Sequence, residues 1–226
     1  MSHTPAFGPI HVLDFEGSLH SGVVEAGIAC YEGGLITECF SQQYRPTGKI
    51  AIQEESIHGL REDALHSYPI FSEQFEVFQS FRKKGIWAAH HAPTEANFLK
   101  RAWAYAGQTS ILIDGIAFQS TDWGPWVDTH LIYQKLYPCL PSYQLMDLVA
   151  AFQLRGELYE LANLACPHDR RHPHAALFDA IATALLLKRL VLDFGNHAMS
   201  VKWLLAQSLT QTAFTDLFLQ MELQFH

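Results

Sequence analysis

The segment HVLDFEG, residues 11–17, is a short apolar run that carries two acids. Side chains two residues apart on a β-strand point to the same face, so Asp14 and Glu16 would look into one space. Leu13 and Phe15 would point to the other face, and a strand apolar on both faces belongs in the middle of a sheet. Two carboxylates this close favour a cation between them. Taken alone, the pair also fits a solvated strand end.

The composition is that of one folded domain of ordinary size. The chain has 226 residues, of which 49% are hydrophobic, enough for a substantial core. No apolar run is long enough to span a bilayer, so we expect no membrane association. The four cysteines form no CxxC pair and are expected to be reduced, mostly buried thiols in a cytoplasmic protein. The net charge of −8 excludes bulk electrostatic adhesion to nucleic acid, so a polyanionic substrate must be held locally.

The hydrophobic pattern predicts strands first and mostly helices afterwards. A hairpin signal at residues 32–34 joins the second and third strands. The further predicted strands are 23–31, 35–44, 86–89 and 111–113, and the predicted helices lie within 52–64 and over 70–82, 93–105, 127–136, 143–152, 158–164 and 175–192. We therefore expect an α/β domain over residues 1–195, a mixed β-sheet flanked by helices. Residues 196–226 would form a C-terminal helical extension.

Three further side chains that could act together with the acid pair come from distant parts of the chain. Glu95 lies in the first turn of a predicted helix, and His174 lies at a junction between a loop and a helix. Asp179 follows one turn inside that helix. Five residues correspond to about 500° of helical rotation, so His174 and Asp179 would not share one helix face. A mobile imidazole could therefore approach a metal held by the rigid helix.

These residues resemble the motifs of the DEDDh family of 3′–5′ exonucleases, which includes RNase T, oligoribonuclease and the proofreading subunits of bacterial DNA polymerases. The similar segments are DFE at 14–16, IHGL at 57–60, AHHAPTE at 89–95, the pair Asp128-Thr129, and HAALFDA at 174–180. They occur in the family's order between about residues 10 and 192. The resemblance implies a ribonuclease-H-like fold.

The resemblance also implies a chemistry, in which two divalent cations, Mg²⁺ or Mn²⁺, clamp the scissile phosphate. Asp14 would bridge both ions, Glu16 and Asp179 would hold the ion that carries the attacking water, and Glu95 would support the second. His174 would be the general base, since an imidazole titrates near neutral pH. The residues expected against the terminal nucleotide are Phe15, His58, Gly59, Leu60 and His91, with Leu60 packing on its base. The product would be nucleoside monophosphates from single-stranded or frayed 3′ ends of DNA or RNA.

Two departures from the family pattern leave an alternative function open. Glu95 stands where the family has Asp, and His91 replaces the usual Asn. A glutamate keeps the charge on a longer side chain, so it can still reach a metal directly or through water. The alternative is a weakened or inactive relative that acts as a nucleic-acid-binding or assembly module. The apolar tail, residues 201–225, would then form a homo-oligomer or bind a polymerase or helicase, whereas in a purely structural role it would fold back onto the domain.

The loop CPHDRRHP, residues 166–173, allows two further interpretations. A Zn²⁺ site could use Cys166, His168, His172 and His174, although the spacing is not that of a usual zinc knuckle. Arg170 and Arg171 could contact phosphate or form a solvated charge pair. Outside the loop, His90 is expected to make a structural hydrogen bond near a strand end.

Overall fold

A computed structural model describes residues 8–194, 199–210, 213, 215–217 and 219. Five of its strands form one mixed sheet in the order β3-β2-β1-β4-β7, and β5 and β6 form a separate two-stranded ribbon. The strands are β1 (Ile10–Ser18), β2 (Gly22–Glu32), β3 (Leu35–Gln43), β4 (Ile86–Ala89), β5 (Thr109–Ile113), β6 (Ile116–Ser120) and β7 (Trp126–Asp128). The helices are α1 (Ile52–His58), α2 (Phe75–Lys84), α3 (Ala92–Ala102), α4 (Thr129–Leu136), α5 (Leu145–Ala151), α6 (Arg155–Ala165), α7 (Ala176–Phe194) and α8 (Val201–Ser208).

The strand that carries the acid pair lies in the middle of the sheet, as predicted. β1 pairs antiparallel with β2 on one side and parallel with β4 on the other. The sheet continues antiparallel from β2 to β3 and parallel from β4 to β7. Parallel neighbours need a crossover connection, which α2 and α3 help to supply. The predicted mixed sheet flanked by helices is confirmed.

The two faces of β1 pack against different groups of helices. Leu13 and Phe15 belong to an aromatic core shared with α2 and α3, and the Phe15 ring lies 5.2 Å from Phe71 and 5.8 Å from Phe98 between ring centroids. Val12 belongs to the opposite core, which includes the inward faces of α4, α5, α6 and α7. Alternation along one strand therefore separates the two cores, as the period of two requires. The acids share the face of Val12, toward α7.

A glycine lets α7 rest directly on the sheet beside Asp14. Gly27 of β2 is the register partner of Asp14. A Cβ atom at Gly27 would lie well under 3.0 Å from backbone atoms of Ala176 and Leu177, the first residues of α7. Only glycine allows this approach, because backbone atoms cannot move aside as a flexible side chain can. The contact holds the N-terminal turn of α7 against the acid pair.

Several element boundaries differ from the prediction for identifiable reasons. The helix predicted over 70–82 begins as a 3₁₀ turn, Phe71–Glu73, and becomes regular only at Phe75, because Gln74 has a non-helical backbone (φ −102°, ψ 21°). The start of the helix predicted over 127–136 is instead the three-residue strand β7, whose apolar residues fit either pattern. β6 was not predicted; it pairs with β5 across a tight turn. The helix predicted over 175–192 is observed as α7, Ala176–Phe194.

The start of the C-terminal extension packs onto the domain. Ser200 caps α8 by accepting a hydrogen bond from the Trp203 backbone N–H at 3.1 Å. Val201, Leu204 and Leu205 are buried in the same core as α7. This favours the folded-back interpretation for α8. The proposed boundary after residue 195 and most of the tail beyond 210 lie outside the described residues. In the part of the chain that is described, no helix is long and apolar enough to cross a membrane.

We expect Gly27→Ala to destabilise the protein by more than about 3 kcal/mol, because the new methyl group meets backbone rather than a movable side chain. Urea unfolding followed by circular dichroism measures the change. Gly156→Ala is the matched control, since a Cβ there meets nothing within 4 Å and the residue lies in α6. An equal, small effect of both substitutions would contradict the proposed contact.

Candidate active site

Four carboxyl side chains converge at the end of β1. Asp14 and Glu16 come from the strand, Glu95 from the first turn of α3, and Asp179 from the first turn of α7. Glu95 is 4% exposed, Asp179 7% and Glu16 9%, whereas Asp14 is half-buried. Ligand atoms of Glu16, Asp179 and His174 all lie within 4.8 Å of one another. The structure thus brings together the acids and the histidine that the sequence singled out.

The acids raise one another's pKa values, and burial is the first cause in each case. For Asp14, burial and then the charges of Glu95 and Asp179 hold the pKa well above its ordinary value. Burial, followed by the charge of Asp179, raises the pKa of Glu16 to about 8. Burial raises the pKa of Asp179 to about 7, against a backbone hydrogen bond from His174 that lowers it. The pKa of Glu95 is likewise raised, by burial and then by Glu16. Carboxyl groups with pKa values raised in this way are stable in their charged form only when positive charge is added.

The donor atoms present fit divalent cations. The side-chain oxygens Glu95 Oε2 and Asp179 Oδ1 are buried and accept no hydrogen bond from any residue that the structure describes. Buried polar atoms are normally satisfied, so such atoms indicate a missing partner. Carboxylate oxygens are the ligands that Mg²⁺ and Mn²⁺ prefer. The predicted metal ligands therefore have the position and chemistry of a divalent-cation site.

His174 lies at the predicted junction between loop and helix, two residues before α7. Its backbone is left-handed (φ 62°), and its N–H donates a hydrogen bond to Asp179 Oδ2 at 3.0 Å. The residue is exposed. The backbone is therefore tied to the site while the imidazole remains accessible to solvent and substrate.

A buried ion pair that the sequence analysis missed lies beside the acids. Glu25 of β2 is the register partner of Glu16. Arg170 donates to both of its carboxylate oxygens, from Nε to Oε1 at 2.9 Å and from Nη2 to Oε2 at 2.6 Å. Glu25 Oε2 also accepts from the backbone N–H of Ala176 at 2.9 Å. Glu25 thus joins β2, the 166–173 loop and the start of α7.

Arg170 also anchors two segments of the predicted site. Its Nη1 donates to the His58 carbonyl at 2.6 Å, and its Nη2 donates to the His174 carbonyl at 3.1 Å. Both earlier interpretations are wrong for Arg170, because its side chain is only 5% exposed and its charge is paired with Glu25. Arg171 donates instead to the Cys166 carbonyl at 3.2 Å. The one sequence signal for this ion pair was Glu25, an acid within the apolar strand predicted over 23–31.

The predicted nucleotide-contact segment lies partly in the protein interior. The Phe15 ring is buried in the aromatic core. His58 is buried, and its Nδ1 accepts from the Leu60 backbone N–H at 3.0 Å. Leu60 packs with a small buried cluster against β2, whereas Gly59 is exposed and left-handed (φ 74°). Gly59 is therefore the part of this segment most open to a substrate, and the packing of Leu60 on a base stays a prediction.

The two adjacent histidines at the end of β4 differ in environment. His90 makes the expected structural hydrogen bonds, with its Nδ1 2.9 Å from Thr129 Oγ1 and its Nε2 2.9 Å from the Tyr143 carbonyl. His91 is exposed, has a left-handed backbone (φ 74°) and precedes α3. Histidine, like asparagine, is enriched in this conformation, which explains how it can replace the usual Asn.

The zinc interpretation of the 166–173 loop gains no support. Among the residues that the structure describes, two groups bring three ligand atoms within 4.8 Å: Glu16, His174 and Asp179, and His90, His91 and His130. The loop set of Cys166, His168 and His172 is not among them. Burial of the cysteines was also overestimated, since Cys39 and Cys139 are exposed.

We expect the raised pKa values of these acids to reduce the stability of the metal-free protein as pH rises from about 4 to 8. Raised carboxyl pKa values mean that the folded state binds more protons than the unfolded state, so the stabilising protons leave between the ordinary values of 3.8 to 4.5 and the raised values near 7 and 8. Melting temperatures in EDTA across this range measure the effect, and Mn²⁺ should reduce it. Glu16→Gln should show a weaker dependence on pH. An identical profile for the variant would contradict the assignment.

We expect Arg170→Gln to destabilise the protein by about 3–5 kcal/mol, because it leaves the Glu25 carboxylate buried without its partner. Urea unfolding measures the loss. Arg61→Gln removes an arginine from a solvent-exposed pair with Asp63 and serves as the matched control, with little change expected. Similar stabilities for the two variants would show that the buried pair does not hold the loop.

Comparisons with known proteins identify the fold. No protein-family model and no curated protein matches the chain. Among solved structures, Exonuclease X in complex with 5′ overhanging duplex DNA has a TM-score of 0.63 at 21% identity, covering 88% of this chain and 99% of that one. The nuclease domain of 3′hExo, a DEDDh family member bound to rAMP, has a TM-score of 0.56 at 14% identity, covering 83% and 93%.

A third structure, E. coli Exonuclease I in complex with a dT13 oligonucleotide, has a TM-score of 0.56 at 12% identity, covering 84% of this chain and 42% of that one. At these identities the likeness concerns the fold. The chain therefore has the ribonuclease-H-like fold of these exonucleases, which confirms the predicted fold class.

Proposed function

We propose that the protein is a metal-dependent 3′–5′ exonuclease that releases nucleoside monophosphates from single-stranded or frayed 3′ ends. One observation carries the proposal: four carboxyl groups, three of them buried and one half-buried, meet at the end of the central strand, next to an exposed histidine. Phosphodiester hydrolysis needs concentrated positive charge at the phosphate. The oxygens of these four carboxyl groups can bind the cations that supply it. The likeness to exonuclease structures supports the same reaction.

Each site residue has a role in the proposed mechanism. Two ions, Mg²⁺ or Mn²⁺, would supply activation of water and stabilisation of the leaving oxygen. Asp14 would hold both ions, Glu16 and Asp179 would hold the one nearer the water, and Glu95 would hold the other. His174 would accept the proton of the attacking water at a ring nitrogen, as general base.

Positioning of His174 would come from the residues around its backbone. Asp179 accepts its N–H, and Arg170 donates to its carbonyl, so both sides of the residue are held while the ring is exposed. Arg170 also binds the His58 carbonyl, which supports a contact of the neighbouring Gly59 with the terminal nucleotide. The Phe15 backbone and His91 would complete the substrate contacts. Holding the reacting groups in a fixed geometry of this kind accelerates hydrolysis.

A nucleic acid 3′ end is the proposed substrate, with the sugar to be found by experiment. The structure of Exonuclease X holds 5′ overhanging duplex DNA, that of Exonuclease I holds a dT13 oligonucleotide, and that of 3′hExo holds rAMP. The acidic net charge favours short or locally bound ends over long duplex. A proofreading-like role in the cytoplasm and a polymerase or helicase partner remain proposals. The packing of α8 into the core assigns at least that helix a structural role.

Digestion of 5′-labelled single-stranded DNA and RNA with Mg²⁺, Mn²⁺ or EDTA tests the proposed function. We expect metal-dependent shortening from the 3′ end, slowed by about 10²–10³-fold or more in Asp14→Asn, because the residue that would hold both ions loses its charge. Asp63→Asn, at an exposed acid outside the site, is the matched control and should retain full activity.

The same assay separates the proposal from its alternative. A folded protein that binds the oligonucleotide but shortens it with neither metal would be a binding module, and the exonuclease proposal would be wrong. The Glu95→Asp variant then tests whether the longer glutamate side chain causes the lack of activity. If this variant, which restores the family's residue, shortens the oligonucleotide, the defect lies at that ligand.

A further inference from the structure

A second cluster of possible metal ligands lies apart from the acids. His90 and His91 connect β4 to α3, and His130 lies in the first turn of α4. One ring nitrogen from each lies within 4.8 Å of the other two. His91 is exposed and the other two are half-buried, so the cluster is open to ions from solvent.

One backbone carbonyl sets the tautomers of two of these rings. The Tyr143 carbonyl oxygen lies 2.9 Å from His90 Nε2 and 3.2 Å from His130 Nδ1. A carbonyl can only accept, so each of these nitrogens must carry a proton. In the neutral rings, His130 Nε2 and His90 Nδ1 therefore keep their lone pairs. A histidine whose other nitrogen donates to a carbonyl is the usual arrangement around a bound metal.

The third ring is held against the second. His91 and His130 lie nearly face to face, with ring centroids 3.7 Å apart and planes inclined by 31°. Their backbones are fixed by one carboxylate, since Asp128 Oδ1 accepts from the His91 N–H at 3.3 Å and from the His130 N–H at 2.9 Å. The His91 ring makes no hydrogen bond to any residue in the described ranges. Its nitrogens are thus available beside those of His130.

We infer that His91, His130 and His90 form a binding site for a borderline transition-metal ion, with Zn²⁺ as the best match, separate from the carboxylate site. Tetrahedral Zn²⁺ binds imidazole nitrogen at about 2.0–2.1 Å, which separates two ligand nitrogens by about 3.4 Å. Rotation of the side chains would turn the nitrogens that keep their lone pairs toward one ion at that spacing. His90 joins by exchanging its contact with Thr129 for the ion. Imidazole selects such ions over Mg²⁺, which prefers oxygen.

Two further features agree with this assignment. Burial lowers the pKa of His90 to about 4, and burial followed by His130 lowers the pKa of His91, so both stay in the neutral form that binds metal. A bound ion would also link the N-terminal ends of α3 and α4. Glu95 lies one turn along α3 from His91, so the second site would stiffen the helix that carries an acid of the first.

Zn²⁺ binding to the untagged full-length protein, measured by competition with a chromophoric chelator in excess Mg²⁺, tests the inference. The wild type should bind one more Zn²⁺ than His130→Gln, or bind it about 10–100-fold more tightly. His66→Gln, at an exposed histidine elsewhere, should behave as wild type. Circular dichroism shows that each variant is folded. Equal stoichiometry and affinity for wild type and His130→Gln would overturn the inference.

The ligand type is tested with Co²⁺, whose visible absorption intensifies in a tetrahedral nitrogen site. The intense band should be present in the wild type and in Asp179→Asn, and absent from His130→Gln. A band lost in Asp179→Asn and kept in His130→Gln would place the ion at Glu16, His174 and Asp179 and contradict the inference. Because no nucleic acid is present, the result is independent of whether the protein is a nuclease.

Discussion

Four carboxyl groups that repel one another meet at the end of β1, and the elements around them hold them there despite the repulsion. Burial and neighbouring charge raise the pKa of each of Asp14, Glu16, Glu95 and Asp179. A protein that needed only stability would not hold these groups together, since apolar side chains of similar size would pack there at lower cost. Strongly perturbed carboxyls in one place are typical of sites that bind cations and carry out chemistry.

The surrounding fold holds the acids together despite this repulsion. Gly27 allows the backbone of α7 to lie on β2 beside Asp14, which sets the position of Asp179. Arg170 offsets only part of their charge: it lowers the pKa values of Glu16 and Asp179, but burial keeps both raised, and its guanidinium is paired with Glu25. What that pair does is join β2, the start of α7 and the His58 and His174 carbonyls. Close packing and one buried ion pair thus position the groups, and in the proposed mechanism added cations would balance their charge.

Local sequence patterns predicted the site residues better than they predicted the residues that hold them in position. The alternation around Asp14 and the positions of Glu95 and His174 are short-range features, and the structure places them as expected. The pair of Glu25 and Arg170 joins residues 145 positions apart, so no local pattern reports it. Arg170 looked like a loop cation in the sequence, and only tertiary packing shows that it is buried.

Short elements and side-chain clusters were missed for related reasons. β7 has three residues and merges with the helical pattern that follows it, because periodicity cannot be read over so few positions. The helix predicted over 70–82 breaks at Gln74, although Phe71, Phe75 and Phe78 keep helical spacing and the Phe71 and Phe78 rings pack against each other. The meeting of His91 with His130 needs the adjacent ends of α3 and α4, which depend on the sheet order.

Anomalous diffraction from crystals grown with Mn²⁺ would test the proposed metal site, because it locates each ion and its ligands without relying on turnover. We expect two Mn²⁺ ions about 3.5–4 Å apart, with Asp14 touching both, Glu16 and Asp179 on one, and Glu95 on or beside the other. Crystals saturated with Mn²⁺ that show no ion among these four carboxylates would contradict it.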